Sequence, residues 1–328
     1  MSKTNYYLSL DSGGTKVAAV LYNEDFKRCG AVVTGSVRPN TTSAELIAKH
    51  TEEIIKGLDL AGKTIEKITG TCEGSVINEI RKVATVKSTN LTGELDLGLS
   101  AAGVFGDGIL ALCGTGAIIL ARRNGKTVST GGYGAAVSDE GSGYYIGRCG
   151  FIAAIRDREG RGEHTILTDM LARHLGYDGA KFLDRAIFSI YRKTDISPAA
   201  SVASFAPKVI AAAEQNDTVA INIVKESGRL LGEQACFLIR DNDFTDSMPI
   251  ALSGSMWRRN RIFYNEFKSV MSEQCAERKI FIPRLEPVLG AMAYDIFTGK
   301  DSFTEEDIDG IIKEFPEFEY NINENKRK

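Results

Sequence analysis

Glycine and hydroxyl side chains cluster in two short turns that each follow an apolar segment. Residues 11–16 read Asp-Ser-Gly-Gly-Thr-Lys, and residues 114–116 read Gly-Thr-Gly about a hundred positions later. Paired glycines permit positive φ and let backbone N–H groups approach an anion, while Thr15 and Lys16 add donors. The Asp11 carboxylate offers the hard oxygen ligands that a hydrated Mg²⁺ prefers. The pair predicts a polyphosphate gripped by both turns, although Gly-Gly also favours an ordinary hairpin turn.

A third pattern of small residues follows an apolar run at residues 251–256, Ala-Leu-Ser-Gly-Ser-Met. Residues 287–292, Pro-Val-Leu-Gly-Ala-Met, come about 35 positions later. Small residues after a strand let a flat ring such as adenosine lie close to the backbone. The start of a helix packed closely on a sheet would need the same residues, so both interpretations stand.

These three turns, in this order and at these spacings, resemble the phosphate 1, phosphate 2 and adenosine motifs of the actin-like ATPase superfamily. Residues 131–148, GGYGAAVSDEGSGYYIGR, are similar to the G-G-W-G-x-x-x-G-D-E-G-S-G-x-x-I-G-R signature of one branch of that superfamily. The branch is the N-acetylglucosamine kinase-like part of the BadF/BadG/BcrA/BcrD-type ATPase family. The resemblance covers about residues 6–297 and includes residues 159–162, EGRG, where the family has D-G-R-G. Ser12, Tyr133 and Ser138 replace the family's Gly, Trp and Gly, and Tyr133 is the change expected to affect the sugar pocket.

The resemblance implies a set of binding residues for ATP, Mg²⁺ and a sugar. The residues implied for ATP are Asp11, Gly13, Gly14, Thr15, Lys16, Gly114, Thr115, Gly116, Gly254 and Ser255, with Asp11 also holding Mg²⁺ through water. The residues implied for the sugar hydroxyls are Asn40, Gly132, Tyr133 and Asp139. The assignment of Asn40 to the sugar depends only on its place after the third predicted strand.

A catalytic carboxylate is also implied at the start of the helix that precedes the second turn. Asp96 matches the family's Asp best, and Glu94 is the reserve candidate. The alternative for Asp96 is a helix N-cap with a solvated carboxylate. In the expected reaction Asp96 would deprotonate a sugar hydroxyl, on C6, for attack on the γ-phosphate of ATP.

The implied function is an ATP-dependent kinase acting on an amino sugar such as N-acetylglucosamine or glucosamine. Two alternatives stay open: an ATPase that activates an iron-sulfur dehydratase, and a non-catalytic sugar-binding homologue. The six cysteines are scattered without a C-x-x-C pair, which disfavours a cluster-holding activator.

The elements that must position these residues form an α/β pattern. Apolar runs at 6–10, 17–22 and 31–34 predict a three-stranded meander. This meander opens the first half of the chain, whose predicted element order is βββαβαβα. Thr42 with Glu45 predicts a capping box for the first helix. A second meander begins near Gly108, which suggests two similar α/β halves. Helices are predicted at 97–104, 165–175, 201–214, 218–238 and 305–315.

The resemblance implies two actin-like, ribonuclease H-like domains, each with a mixed β-sheet flanked by helices, and with ATP and sugar in the interdomain cleft. The expected domains are 1–116 and 117–328, with the helix at about 305–315 packing back on the N-terminal domain. A chain of 328 residues suits two domains of roughly 150 residues each.

Charge and hydropathy limit the partners. A net charge of -3 and a pI near 5.8 provide no broad positive field for nucleic acid. No apolar run approaches the roughly 18 residues that span a bilayer, and no signal segment is evident. We expect a cytoplasmic protein, with no membrane or nucleic-acid partner, and the resemblance implies a homodimer.

Overall fold

The chain folds into two compact units in the computed structural model, which describes residues 5–40, 42–135, 137–192, 197–244, 248–275, 278–300 and 302–322. The first unit contains the described residues up to Leu110 together with Ile280–Asn321. The second contains the described residues from Ala111 to Lys279 together with Ile322. The sequence-based border lay after Gly116, whereas the units divide after Leu110 and the chain returns to the first unit at Ile280.

The strands alternate with helices in the order expected of an α/β fold. In chain order they are β1 (Tyr6–Ser12), β2 (Lys16–Asn23), β3 (Arg28–Gly35), β4 (Thr64–Thr71), β5 (Thr85–Leu91), β6 (Gly108–Cys113), β7 (Ala117–Arg123), β8 (Lys126–Gly131), β9 (Ile250–Ser253) and β10 (Ile280–Phe281).

The helices of the described residues are of ordinary length for a globular protein. They are α1 (Ala44–Gly57), α2 (Gly74–Val83), α3 (Glu94–Ala101), α4 (Gly143–Arg158), α5 (Leu167–His174), α6 (Leu183–Ser189), α7 (Pro198–Ala203), α8 (Ala206–Glu214), α9 (Thr218–Asp241), α10 (Arg261–Gln274), α11 (Pro287–Lys300) and α12 (Glu305–Glu314).

The first unit is a five-stranded sheet covered by helices on both faces. Its order is β3-β2-β1-β4-β5, with β1, β2 and β3 antiparallel and β4 and β5 parallel to β1. Side chains alternate across a strand, and β2 shows the result. Its odd-numbered residues from Val17 face a core shared with α1 and α2, and its even-numbered residues face a core shared with α11 and α12. The two cores therefore hold β2 from both faces of the sheet, and with it the β1–β2 turn.

The second sheet repeats the strand order of the first. Its order is β10-β9-β6-β7-β8. Read from its other edge, the first sheet is β5-β4-β1-β2-β3, so each strand of the second sheet corresponds to the strand numbered five lower in the first. The strands β7 and β8 pair antiparallel, as β2 and β3 do. The β6–β7 turn therefore occupies the same place in its sheet as the β1–β2 turn, and the predicted pair of meander-led α/β halves is confirmed.

Several predicted boundaries need correction. The N-cap of α1 is Ser43, whose hydroxyl accepts from the Leu46 N–H, rather than Thr42. The helix predicted at 97–104 begins earlier, at Glu94, after Gly93 as N-cap. The predicted helix 201–214 is two helices, because Pro207 lacks an N–H and sits in the first turn of α8.

The helix α4 was missing from the prediction. Its first residues are the glycine-rich end of the 131–148 signature, which gives no helical periodicity, and its N-cap is Ser142. The Ser142 hydroxyl accepts from the Tyr145 N–H. The predicted helix at 305–315 is α12, and it lies in the first unit.

Candidate active site

The β1–β2 turn presents free backbone donors. The Gly13 N–H donates to the Lys16 carbonyl at 2.9 Å, which closes the turn. The Ser12 carbonyl accepts from the Arg38 guanidinium, from Nε at 2.9 Å and from Nη2 at 2.6 Å. The Gly13 carbonyl accepts from the Ser36 hydroxyl at 2.9 Å. With these carbonyls engaged, the N–H groups of the next two residues, 14 and 15, have no acceptor among the described residues.

The two glycines of this turn do not adopt the backbone that the sequence predicted. Neither Gly13 nor Gly14 has a positive φ, so that explanation of the pair is wrong. A β-carbon at Gly14 would meet no atom within 4 Å, and Gly14 is exposed. The fold therefore does not require glycine at position 14. The missing side chain instead leaves open space beside free N–H groups, which suits an anion.

Asp11, the second-to-last residue of β1, has its carboxylate in an unfavourable place for a negative charge. The Thr71 hydroxyl lies 3.4 Å from its Oδ1. Burial raises the pKa of Asp11 to about 6, Lys16 acts to lower it, and the nearby carboxylates of Glu94 and Glu286 raise it further. A bound divalent cation would offset both effects. The carboxylate and its acidic surroundings therefore fit Mg²⁺, with Asp11 as the residue that would hold it.

The catalytic candidate Asp96 lies in the first turn of α3. Gly93 is the N-cap, so the alternative of Asp96 as an N-cap is wrong. Asp96 is the third residue of the helix and is half-buried. A helix N-terminus stabilises a carboxylate there. The reserve candidate Glu94 forms a 2.6 Å ion pair with Arg38, so its carboxylate already has a structural partner.

The β6–β7 turn of the second unit also presents two consecutive backbone donors, in a turn whose closing hydrogen bond spans one residue fewer. The Gly114 N–H donates to the Gly116 carbonyl at 2.9 Å. The carbonyls of Gly114 and Thr115 accept from the N–H groups of Gly143 and Tyr144, both at 2.9 Å. In the described part of the chain, no acceptor meets the N–H groups of residues 115 and 116. A β-carbon at Gly114 would meet nothing within 4 Å.

The 131–148 signature supports this second turn. Asp139 is buried, its backbone has φ +63°, and its carboxylate accepts from the backbone N–H groups of Ala117 and Gly134. Burial raises the pKa of Asp139 although both hydrogen bonds lower it. A β-carbon at Gly116 would lie 2.9 Å from Asp139 Oδ2. Asp139, predicted to bind sugar, thus also holds the turn, a role that the sequence did not indicate.

The other predicted sugar residues are divided between the units. Gly132 needs its φ of +75° and lies so close to Ile118 that a β-carbon would be 2.7 Å away. The Tyr133 side chain beside it is 77% exposed. Asn40 is exposed after β3 in the first unit. The structure brings Gly132, Tyr133 and Asp139 into one unit and places Asn40 in the other.

The third motif separates into two parts. Gly254 follows β9 with φ +99°, and a β-carbon there would be 2.2 Å from the Cys113 carbonyl oxygen. The predicted ATP residues Gly254 and Ser255 therefore lie against the end of β6, next to the β6–β7 turn. The buried Trp257 indole donates to the Ala111 carbonyl at 3.1 Å and fixes this approach.

Residues 287–292 do not expose backbone to a ligand. They begin α11 in the first unit, and residues 288–292 are buried. A β-carbon at Gly290 would lie 2.2 Å from the Leu97 carbonyl of α3, and the Ser9 hydroxyl donates to the Val288 carbonyl. The alternative of close helix packing is therefore correct for this part of the motif, and the adenosine interpretation of it is wrong.

Four residues near the first turn were not predicted: Arg38, Ser36, Thr71 and Glu286. Each acts through a contact between distant parts of the chain, which residue spacing does not show.

Among the described residues, no group of three or more metal-ligating side chains is present. None of the described helices is long and apolar enough to span a bilayer.

Comparison with known proteins gives one family match and several relatives. Residues 8–294 match the model of the BadF/BadG/BcrA/BcrD ATPase family. The N-acetylmuramic acid/N-acetylglucosamine kinase of Clostridium acetobutylicum is 25% identical over an alignment of 301 residues, and the match covers 88% of this chain and 97% of that protein. The glucosamine kinase of Vibrio cholerae is 22% identical over an alignment of 233 residues, and the match covers 68% of this chain and 76% of that protein.

Solved structures share the fold. A candidate N-acetylglucosamine kinase from Chromobacterium violaceum aligns with a TM-score of 0.64 at 21% identity, covering 88% of this chain and 97% of that one. A ROK family glucokinase from Streptomyces griseus, in complex with glucose and AMPPNP, aligns with a TM-score of 0.53 at 15% identity, covering 89% and 98%. The predicted fold class, an actin-like α/β fold with two such domains, is confirmed.

Proposed function

Since the chain belongs to the BadF/BadG/BcrA/BcrD ATPase family, we propose that it is an ATP-dependent kinase that phosphorylates an amino sugar. The observation that carries this proposal is the repeated turn. In each unit, two consecutive backbone N–H groups lack an acceptor among the described residues while the neighbouring carbonyls are engaged. Such groups suit the oxygens of a polyphosphate. The names of the two curated relatives support an amino sugar as the acceptor.

In the proposed reaction the protein positions groups and balances charge. The N–H groups of Gly14, Thr15, Thr115 and Gly116 would bind phosphate oxygens. Asp11 would hold Mg²⁺, which supplies positive charge to the phosphates when bound. The sugar oxygen forms a bond to the γ-phosphorus as the bond from that phosphorus to the β-phosphate oxygen breaks. Asp96 accepts the hydroxyl proton, and ADP leaves.

The finer assignments follow the family resemblance. The acceptor is the C6 hydroxyl of a hexosamine such as N-acetylglucosamine or glucosamine. Asn40, Gly132, Tyr133 and Asp139 contact the other hydroxyls, and Gly254 and Ser255 lie beside the adenosine. The Asp139 carboxylate would then act twice, because its backbone partners also hold the second turn.

A substrate panel tests the function. ADP release with MgATP would be measured with N-acetylglucosamine, glucosamine, N-acetylmuramic acid and, as a control, glucose. We expect turnover with at least one amino sugar, exceeding that with glucose by about tenfold or more. Phosphorus NMR of the product should show a phosphate on C6. Sugar-independent ATP hydrolysis, or sugar binding without ADP release, would reject the kinase.

The base assignment has its own test. Asp96→Asn should lower kcat by about 10²- to 10⁴-fold and leave the KM for MgATP within a few-fold, because the lost group acts on the proton. Asp25→Asn, at an exposed turn of the same unit, is the matched control and should behave as wild type. Near-normal turnover by Asp96→Asn with loss of turnover by Glu94→Gln would transfer the role to Glu94.

A further inference from the structure

One arginine connects two separate elements of the first unit's site. Arg38 follows β3, and its Nε and Nη2 both donate to the Ser12 carbonyl at the start of the β1–β2 turn. Its Nη2 also lies 2.6 Å from Glu94 Oε1. Glu94 is the first residue of α3. A single guanidinium therefore joins the phosphate-type turn to the helical turn that carries Asp96.

The neighbouring Ser36 strengthens this link. The Ser36 hydroxyl donates to the Gly13 carbonyl at 2.9 Å and accepts from the Arg38 N–H at 3.2 Å. Ser36 is buried, whereas the side chain of Arg38 is about one-third exposed. The carbonyls of residues 12 and 13 are thus both fixed by the segment that follows β3. The backbone N–H groups that come next are oriented as a consequence.

We propose that Arg38 is a positioning residue that sets the β1–β2 turn at a fixed distance from the first turn of α3. This inference rests on the proposed function, in which Asp11 and that turn hold the metal and phosphates while Asp96 receives the proton. Arg38 contacts none of the reacting atoms in this scheme. Its effect passes through the Ser12 carbonyl and the Glu94 carboxylate.

Only an arginine has the geometry for this connection. Its planar fork presents several N–H donors at fixed angles, so two nitrogens can converge on one carbonyl while one also meets a carboxylate. A lysine ammonium carries the same charge on a flexible stem and cannot reproduce the fork. Charge alone is therefore not the property that the site uses.

The same unit contains a matched control. Arg28 forms an ion pair with Glu317 at 2.6 Å, and their side chains are exposed to a similar extent as those of Arg38 and Glu94, at 38% and 41% against 35% and 33%. Arg28 begins β3, and its guanidinium donates to the Glu314 carbonyl at the end of α12, pairs with Glu317 and lies over the Phe315 ring, 5.2 Å from its centroid. Removing it deletes an ion pair of similar exposure, together with its contacts to residues 314 and 315, without touching the β1–β2 turn.

The first experiment compares Arg38→Ala, Arg38→Lys and Arg28→Ala by steady-state kinetics. At saturating MgATP, Arg38→Ala should lower kcat/KM for the sugar by about 10- to 100-fold, mainly through kcat, because misplacement of the turn affects the reacting geometry. The kcat/KM of Arg38→Lys should be only a few-fold higher than that of Arg38→Ala. Arg28→Ala should stay within twofold of wild type. If Arg38→Ala does not fold, Arg38→Lys carries the comparison.

The second experiment measures coupling and nucleotide affinity. In a double-mutant cycle of Arg38→Ala and Glu94→Ala, the double variant should be no less active than the less active of the two single variants. Calorimetry with Mg-AMPPNP should show about tenfold weaker binding for Arg38→Ala and no change for Arg28→Ala. This readout needs no sugar, so a wild type that binds nucleotide but phosphorylates no sugar would reject the kinase while still testing Arg38.

The proposal is overturned if Arg38→Ala matches Arg28→Ala within twofold in both kinetics and nucleotide binding. It is also overturned if the two single losses multiply in the double variant. Full rescue by Arg38→Lys would replace the positioning role with a simple effect of charge.

Discussion

The β1–β2 and β6–β7 turns occupy equivalent places in two sheets of the same strand order, yet different means hold them. Side chains from the segment after β3, Arg38 and Ser36, fix the carbonyls of the first turn. Backbone N–H groups at the start of α4 fix the carbonyls of the second. Both leave two consecutive N–H groups without a described acceptor. A pair of free backbone donors is therefore produced in two different ways.

The difference indicates how each turn can fail. The second turn depends on close backbone approach, so it is disrupted by adding a carbon atom at a glycine. The first turn depends on side-chain donors, so it is disrupted by removing them, and it also carries the electrostatic cost of Asp11. Substitutions that add a methyl group at a glycine or remove a side-chain group can therefore test how each turn is held.

The largest expected effect is that of Gly143→Ala, at the start of α4, where the second turn is held. A β-carbon at Gly143 would lie 2.8 Å from the Gly114 carbonyl oxygen, which is backbone and cannot move without breaking its hydrogen bond. We expect a loss of about 3 to 4 kcal/mol in unfolding free energy, from overpacking plus weakened hydrogen bonds. Urea denaturation would measure it.

Gly74→Ala is the matched control for Gly143→Ala. Gly74 is the first residue of α2, as Gly143 is of α4, but a β-carbon at Gly74 would meet nothing within 4 Å. This variant should be neutral or slightly stabilised, because alanine restricts the unfolded chain. Equal urea midpoints for the two variants would contradict the backbone-held description of the second turn.

The contrast between the turns also explains what the sequence could predict. The α/β class and the meanders follow from apolar runs, because these record the local alternation of strands and helices. Gly14 and Gly114 mark the two turns through the open space beside free N–H groups and not through a backbone requirement. Glycines of the 131–148 signature that face carbonyl oxygens, such as Gly143, are visible to a motif comparison. The contact of Arg38 with Ser12 depends on how β3 returns along the sheet, and no local pattern reports it.

Other elements were missed for related reasons. The start of α4 was not predicted because its glycines serve close packing at the expense of helical periodicity. The return of the chain at Ile280 to the first unit could not be predicted, because α11 packs on α3 through Gly290 across almost 200 residues. The adenosine interpretation of residues 287–292 failed for the same reason, since small residues suit helix packing and ligand contact equally well.

Asp11→Asn tests the electrostatic cost in the first turn. The pKa of Asp11 in the folded protein is about 6, above the ordinary 3.8, so ionisation costs folding free energy. The wild type should lose stability as pH rises from about 4 through 6, and the Asn variant should not. At pH 8, without Mg²⁺ or nucleotide, the variant should be more stable by up to about 3 kcal/mol.

The pH series supplies the control for Asp11→Asn. Below about pH 4 both proteins carry a neutral group at this position, so their unfolding free energies should converge. The stabilised variant should also have lost sugar phosphorylation, because the proposed metal-holding carboxylate is gone. An Asn variant no more stable than wild type at pH 8 would show that the site does not penalise the charge.

The smallest expected effect concerns the open space that both turns share. A β-carbon at Gly14 or at Gly114 would meet no protein atom within 4 Å, and neither residue has a positive φ. Gly14→Ala and Gly114→Ala should each change the unfolding free energy by no more than about 0.5 kcal/mol. Each should nevertheless weaken Mg-AMPPNP binding by about tenfold, or about 1.4 kcal/mol, because the methyl group occupies the space beside the free N–H groups.

Gly310→Ala provides the comparison for this pair, since Gly310 lies within α12 in equally open space. It should bind Mg-AMPPNP as wild type does, and alanine in a helix interior should stabilise the fold by about 1 kcal/mol. If only one of the two turn variants loses affinity, the turns do not share the phosphates equally, and the similarity of their donors would then reflect a common fold rather than a common ligand.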